Sequence, residues 1–149
     1  MLTRSLRVLA ISLLALLSAG PATAEQIEKM GDYVVHYNAF DSTFLSADVA
    51  RQYGITRSKY QGVINIAVQK AGDAGQDVPV TARLSGKVKN DIAQSNDLDF
   101  REIKDGPAIY YIATFSHGDK EKLSFDLNVQ PEGKGEPKPL KFDHQFFAN

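Results

Sequence analysis

Apolar and polar side chains alternate along most of the chain beyond residue 25, and a period of two predicts β-strands. The alternation is cleanest near the C-terminus, where two consecutive runs have one apolar and one polar face, as expected of a hairpin with one face buried. Seven segments carry the pattern: residues 30–40, 62–69, 78–84, 98–103, 107–115, 123–129 and 140–146. Residues 107–115 are the most apolar and are expected to form a central strand.

A single short helix is predicted between Ser46 and Gly54. Ser46 is a suitable N-cap, and Gly54 can adopt the left-handed conformation that ends a helix. No helix is long enough to connect parallel neighbours, so the strands are expected to be antiparallel. The sequence predicts an all-β, immunoglobulin-like sandwich of fibronectin type, with about seven strands and one short helical insert. A small up-and-down barrel is the structural alternative.

The first 24 residues have the features of an export signal. Arg4 and Arg7 precede an apolar run at residues 8–17, and a small-residue segment ends at Ala24, after which cleavage is expected. The run has about half of the twenty or so residues that a spanning helix needs. We therefore expect a Sec-type signal peptide and a periplasmic protein of residues 25–149, folded as one domain.

Composition narrows the class of protein further. Removing residues 1–24 of the 149, with their two arginines, changes the formal net charge from −1 to −3, which gives no support for a basic nucleic-acid-binding face. The chain has no cysteine, so neither disulfides nor a lipid-modified cysteine are available. We expect no nucleic-acid partner and no membrane-spanning segment after cleavage.

Several stretches carry a family resemblance. They are Tyr37-Asn-Ala-Phe-Asp-Ser-Thr-Phe-Leu-Ser46, Tyr53-Gly-Ile-Thr-Arg-Ser58, Gly62-Val-Ile-Asn-Ile-Ala-Val68, Phe125-Asp-Leu-Asn-Val-Gln-Pro131 and Phe142-Asp-His-Gln-Phe-Phe147. Together they resemble the small exported proteins of the family called domain of unknown function 4426, over essentially all of residues 25–149. The resemblance implies a solitary periplasmic sandwich from gammaproteobacteria, without an assigned activity.

Aromatic residues around the predicted helix indicate a partner-binding surface. Phe40, Phe44, Arg57 and Tyr60 could form a groove or flat patch, since interfaces are enriched in aromatic residues and arginine. The alternative is structural: the helix would plug one mouth of the core, with Phe44 buried. Phe147 is a further candidate, because two consecutive phenylalanines at the end of a strand cannot both face the core. The last strand could also pair through its edge with a partner chain.

Histidines are the only weak candidates for a metal site. His36 and His144 lie on the first and last predicted strands, which can be neighbours in a sandwich. Both also fit ordinary strand positions, and His117 fits a plain turn. We predict no bound metal and no cofactor.

Catalytic motifs are absent from the sequence. There is no nucleophile elbow, no cysteine and no phosphate-binding loop, and Asp97, Asp99 and Glu102 are the only weak carboxylate candidates for hydrolysis. The sequence therefore favours a non-catalytic binding or accessory module that acts through a protein or envelope partner. A small-ligand or metal-binding protein is the alternative, and a hydrolase is less favoured.

Overall fold

The computed structural model describes residues 25–148, which form ten strands, one α-helix and two short 3-10 turns. The helix, α1, is Ala47–Gln52, and the turns are Ser42–Phe44 and Asp73–Gly75. The strands are β1 (Gln26–Met30), β2 (Tyr33–Asp41), β3 (Gln61–Lys70), β4 (Val78–Val80), β5 (Ala82–Lys89), β6 (Ser95–Asp97), β7 (Arg101–Asp105), β8 (Ala108–Ser116), β9 (Glu121–Pro131) and β10 (Lys138–Phe146).

The strands form two antiparallel sheets. The larger sheet has the order β1-β2-β3-β8-β7, and β4 pairs with the end of β3 that β8 leaves free. The smaller sheet has the order β10-β9-β5-β6. This arrangement confirms the predicted antiparallel sandwich with one short helical insert.

One predicted strand divides between the sheets, and another is preceded by a short strand that the sequence did not predict. Residues 78–84 break at Thr81, so that β4 pairs in the larger sheet and β5 in the smaller. β6 pairs in the smaller sheet just before the predicted strand 98–103, of which the part from Arg101 onward belongs to β7 and pairs with β8. The alternation of apolar residues shows which face of a strand is buried, but it does not show which sheet the strand joins. The remaining addition, β1, is an edge strand with only Met30 buried, so it shows little alternation.

The core lies between the inner faces of the two sheets. Fully buried aliphatic residues of β2 and β3 face Phe125, Leu127 and other residues of the smaller sheet. Phe115 of β8 packs edge to face against Phe125 and Phe146, with ring centroids 5.1 and 5.2 Å apart. The predicted apolar rows therefore meet as the two halves of one core.

A second, smaller apolar cluster lies on the outer face of the larger sheet. Ser46 caps α1 by accepting a hydrogen bond from the Val49 amide at 3.2 Å, and Gly54 takes φ +66° at the exit. The helix then packs on the sheet rather than plugging a mouth of the core. The buried members of this cluster are Ala50, Ile55, Val63 and Ile112.

Residues 25–148 contain no helix with the length and apolarity needed to cross a membrane. The predicted signal peptide lies outside the described residues.

Gly62 is expected to be intolerant of a side chain. It lies opposite both Asp41 and Phe115, and a Cβ there would come within 2.3 Å of the Phe115 ring, which neighbouring rings hold in place. We expect Gly62→Ala to lower the free energy of unfolding by about 1–3 kcal/mol through overpacking. Urea denaturation measures the loss. Gly118→Ala is the matched control, because its nearest neighbour would be 4.0 Å away. Equal stability of the two variants would contradict this account.

Candidate functional site

A buried histidine and a buried aspartate meet at one end of the larger sheet. Asp41 ends β2 and His117 follows β8, and both strands run antiparallel to β3, so the two residues reach the same end of the sheet. His117 Nε2 lies 2.8 Å from Asp41 Oδ2, with side chains 0% and 11% exposed. The pair is therefore held almost wholly out of solvent.

Hydrogen bonds engage both sides of this pair. Nδ1 of His117 lies 2.9 Å from the Gly118 carbonyl oxygen, which can only accept, so Nδ1 donates. Asp41 Oδ1 accepts from the amide and the hydroxyl of Thr43, at 3.0 and 2.8 Å. Each ring nitrogen of His117 therefore lies within hydrogen-bond distance of an oxygen acceptor. Both ring nitrogens are thus engaged within the fold, as suits an anchor for the surrounding loops.

Further bonds tie three loops around the pair. The Ser42 hydroxyl donates to the Ser58 carbonyl at 2.8 Å and accepts from the Ser58 amide at 2.9 Å. The His117 amide donates to the Tyr60 carbonyl at 2.9 Å. Phe146 stacks on the His117 ring at 4.8 Å, which brings the end of β10 to the same place. The loops at 41–45, 57–60 and 117–119 and the C-terminal segment therefore converge at one end of the sandwich.

Three large aromatic side chains are exposed on these converging segments. Phe44 is 63% exposed, Tyr60 is 52% exposed and Phe147 is 53% exposed. The Arg57 guanidinium donates to the Thr43 carbonyl at 3.1 Å and so lies beside the Phe44 turn. We call Phe44, Arg57, Tyr60 and Phe147 the aromatic surface. Four of the five residues predicted from sequence are thus brought to one end of the molecule.

Phe40 is placed differently from the other four. It is half-buried and packs with the α1 cluster on the outer face of the larger sheet. Its role is therefore to support the helix.

The aromatic surface also carries positive charge. Lys59 Nζ lies 5.3 Å from the Tyr60 ring centroid, within reach of a cation–π contact. Within residues 25–148, neither Lys59 nor Arg57 forms an ion pair with a carboxylate. Both charges are available to a partner.

His36 and His144 do not share a site. His36 lies on the outer face of the larger sheet, with Nδ1 3.4 Å from Glu25 Oε1. His144 lies on β10 against Phe146, at a ring distance of 4.6 Å. Between β2 and β10 it is Tyr37 that makes contact, 4.7 Å from Phe142. Among the described residues, no three histidine, aspartate or glutamate side chains converge as metal ligands would.

The three candidate carboxylates are also divided. Asp97 and Asp99 line a cleft of about 280 Å³ together with Arg101. Glu102 instead accepts a hydrogen bond from the Tyr111 hydroxyl at 2.8 Å. Burial raises the pKa of Tyr111 to about 12, so this phenol remains a donor. The three carboxyl groups therefore do not form one cleft.

Sequence reasoning missed the pair of Asp41 and His117, although one signal was available. Asp41 continues the core-facing row of Val35 and Ala39, and His117 continues the row of Ala113 and Phe115. A polar residue in a core-facing position needs a partner. Only the strand order shows that each is the partner of the other.

Polar groups without partners occur on the outer face of the larger sheet. His36 Nε2, Asn38 Oδ1 and Asn65 Oδ1 are buried and make no hydrogen bond to any other atom of residues 25–148. Leaving such a group unsatisfied costs about 1–3 kcal/mol.

The fold and the anchored loops define the class of protein: an antiparallel β-sandwich that presents aromatic side chains at one end. The family model Domain of unknown function (DUF4426) matches residues 27–149, and the chain belongs to this family. The resemblance of the sequence segments to that family is thereby confirmed.

Solved structures agree with the family assignment. A DUF4426 family protein from Pseudomonas aeruginosa is 35% identical and superposes with a TM-score of 0.72, over 84% of this chain and 96% of that one. No curated protein sequence matches the chain significantly.

Two structures of FetP from uropathogenic Escherichia coli share the fold at low identity. A copper-bound variant is 11% identical with a TM-score of 0.61, over 85% of this chain and 97% of that one. FetP as isolated is 9% identical with a TM-score of 0.62, over 87% and 99% of the two chains. These similarities show the sandwich architecture alone.

The stability of the protein is expected to fall in mild acid because of His144. Burial, and then the positive charge of His117, lower the pKa of His144 below its ordinary 6.5. Below pH 6.5 the unfolded chain therefore binds more protons at this residue than the folded chain does. The free energy of unfolding should decrease as the pH falls from 6.5 towards the folded pKa, and this loss should be smaller in His144→Gln.

Chemical denaturation across this pH range measures the free energy of unfolding of the wild type and of His144→Gln. His36 and His117 are common to both proteins, so the difference between the two curves reports His144. A difference curve that is flat, or of the opposite sign, would contradict the assignment.

Proposed function

We propose that this protein is a periplasmic, non-catalytic binding module that recognises an acidic, apolar segment of a protein partner at the aromatic surface. The observation that carries the proposal is the exposure of Phe44, Tyr60 and Phe147 on loops that the buried pair of His117 and Asp41 holds together. All three rings are more than half exposed to solvent.

Rigid aromatic side chains suit recognition. They bury a large area while losing little conformational freedom, and aromatic residues and arginine dominate the energetics of interfaces. Hydrogen bonds from Ser42 and His117 already order the loops that carry Phe44 and Tyr60. Little ordering is therefore required when a partner binds.

The charge of the surface defines the partner's chemistry. Arg57 and Lys59 flank the rings and have no carboxylate partner within the described residues. A segment with both acidic and apolar side chains would satisfy the cations and cover the rings. Salt should then weaken the association.

Several features of the sequence support export to the periplasm. Arg4 and Arg7 precede the apolar run, and the small-residue segment ends at Ala24. The family model begins to match at residue 27, just beyond the predicted cleavage position. Export would place the aromatic surface among envelope proteins.

The copper of the FetP variant gives no basis for a copper function in this chain. At 11% identity the similarity concerns the fold, and no three candidate ligand side chains converge within residues 25–148. The binding module therefore remains the better-supported proposal.

A crosslinking experiment with four forms of the exported chain tests this function. Wild type, Phe44→Ala, Phe147→Ala and Ile92→Ala are purified from the periplasm, and intact mass shows whether each begins at Glu25. Ile92 is the matched control, since it is 74% exposed but lies in the turn between β5 and β6. All four should remain folded, because each change removes an exposed side chain.

We expect one partner to crosslink to wild type and Ile92→Ala and to be lost from both phenylalanine variants. Truncating a central aromatic contact typically costs about 2 kcal/mol, which corresponds to a roughly 30-fold weaker complex. Arg57→Glu and added salt should weaken the same complex. Equal capture by all four chains, or no specific partner, would contradict the proposal. A mass that retains residues 1–24 would contradict export.

A further inference from the structure

The outer face of the smaller sheet carries a groove that is separate from the aromatic surface. Its main cavity has a volume of about 760 Å³ and is lined by Arg83, Leu84, Ser85, Asn128, Gln130 and Pro137. The cavity lies towards the last residues of β9, whereas Phe146, which precedes Phe147 of the aromatic surface, pairs with Glu121 at the start of β9. Its volume falls within the range of about 300–1,000 Å³ that is typical of small-molecule sites.

Two cross-strand pairs supply the polar lining of the cavity. Arg83 lies opposite Gln130, and Ser85 lies opposite Asn128, across β5 and β9. Their side chains point away from the core, because the residues that alternate with them pack into it. Directly opposite residues have Cβ atoms about 5 Å apart, and the two pairs are about 7 Å apart along the strands. These four side chains therefore frame an area similar in size to one sugar ring with its substituents.

The loop between β9 and β10 forms one wall of the cavity, and hydrogen bonds hold it in place. The side-chain amide of Gln130 donates to the Gly135 carbonyl at 2.8 Å, and the Gly133 amide donates to the Gln130 carbonyl at 3.0 Å. Arg83 lies against this loop, since a Cβ on Gly133 would be 3.6 Å from its Nε. The wall and the guanidinium are therefore positioned before a ligand binds.

Arg83 gives the cavity a positive charge. Within residues 25–148 its guanidinium forms no ion pair, whereas Lys87 on the same face of β5 pairs with Asp97 at 3.6 Å. Among the described residues, none that lines this cavity is acidic. A guanidinium binds a carboxylate through two parallel hydrogen bonds. The hydroxyl of Ser85 and the amide of Asn128 both donate and accept hydrogen bonds, as the hydroxyl groups of a sugar do.

We propose that this groove binds a sugar acid, with the carboxylate on Arg83 and ring hydroxyl groups on Ser85 and Asn128. Pro137 would pack against the C–H face of the ring. A second cavity of about 440 Å³ shares Ser85 and Asn128 with the first and continues along β5 to Lys87. It offers room for a neighbouring sugar. The ligand is therefore either a free sugar acid or an acidic unit of a longer saccharide, and the recognition chemistry is the same for both.

Titration of the exported, ¹⁵N-labelled protein tests the proposal. Glucuronate represents a free sugar acid, and a disaccharide that ends in glucuronate represents a longer saccharide. Glucuronamide is the matched control, because it keeps the ring and its hydroxyl groups but has no charge. Acetyl-dialanine provides a carboxylate without sugar hydroxyl groups. We expect at least one of the two sugar acids to produce a saturable shift of the Arg83 Nε and Asn128 side-chain resonances, and glucuronamide to bind at least about tenfold more weakly.

Variants test the assignment of the binding residues. Arg83→Met should weaken binding of the sugar acid at least about tenfold, since it removes hydrogen bonds to a charged group. Asn128→Ala should weaken it by about threefold or more, since it removes hydrogen bonds to neutral hydroxyl groups. Lys89→Met is the matched control, because Lys89 is exposed on the same face of β5 but lines neither cavity. All three side chains are exposed, so the variants should remain folded.

Four results would overturn the proposal. They are no saturable shift with either sugar acid, equal binding of glucuronamide, equal binding of acetyl-dialanine, and unchanged binding by Arg83→Met. A response to the disaccharide alone would support a unit of a longer saccharide, and a response to glucuronate would support a free sugar acid.

Discussion

The rings of three core residues, Phe115, Phe125 and Phe146, pack edge to face between the sheets. This packing helps to position the buried pair of His117 and Asp41 at the end of the sandwich. Gly62 leaves room for the Phe115 ring, and Phe146 continues the packing onto His117. The apolar core therefore leads directly into the buried pair of His117 and Asp41. Because that pair joins loops distant in sequence, the packing of the rings also positions the exposed aromatic residues.

A buried pair of polar side chains is a costly way to stabilise a fold, since both groups must leave water. At this site the cost is offset by further bonds, from Thr43 to the carboxylate and from the imidazole to the Gly118 carbonyl. An apolar pair of similar volume would fill the same space but could not specify the conformation of the loops. The pair thus helps to fix the loops that present Phe44 and Tyr60.

The architecture could be predicted because the patterns that indicate it are local. The alternation of apolar and polar residues predicted the strands, and Ser46 and Gly54 predicted the two ends of the helix. The division of residues 78–84 between the sheets could not be predicted, because a strand's buried face does not identify its neighbours. Residue type made Phe44, Tyr60 and Phe147 candidates for a binding surface, and the structure shows that they are exposed. Phe40 was predicted to lie on the binding surface, but it packs against α1, and the position of that helix could not be predicted from the sequence. The pairing of His117 with Asp41 could be recognised only from the strand order.

The central claim is that the buried pair holds the aromatic surface in shape, and hydrogen exchange of Asp41→Ala against wild type tests it most directly. The account predicts that the amides of Thr43, Ser58 and His117 exchange at least about tenfold faster, since their local bonds open. The amides that link β5 and β9 should exchange at the wild-type rate, apart from any change that follows from a different global stability. Unchanged exchange in the three loops, or an equal increase throughout the chain, would contradict the claim.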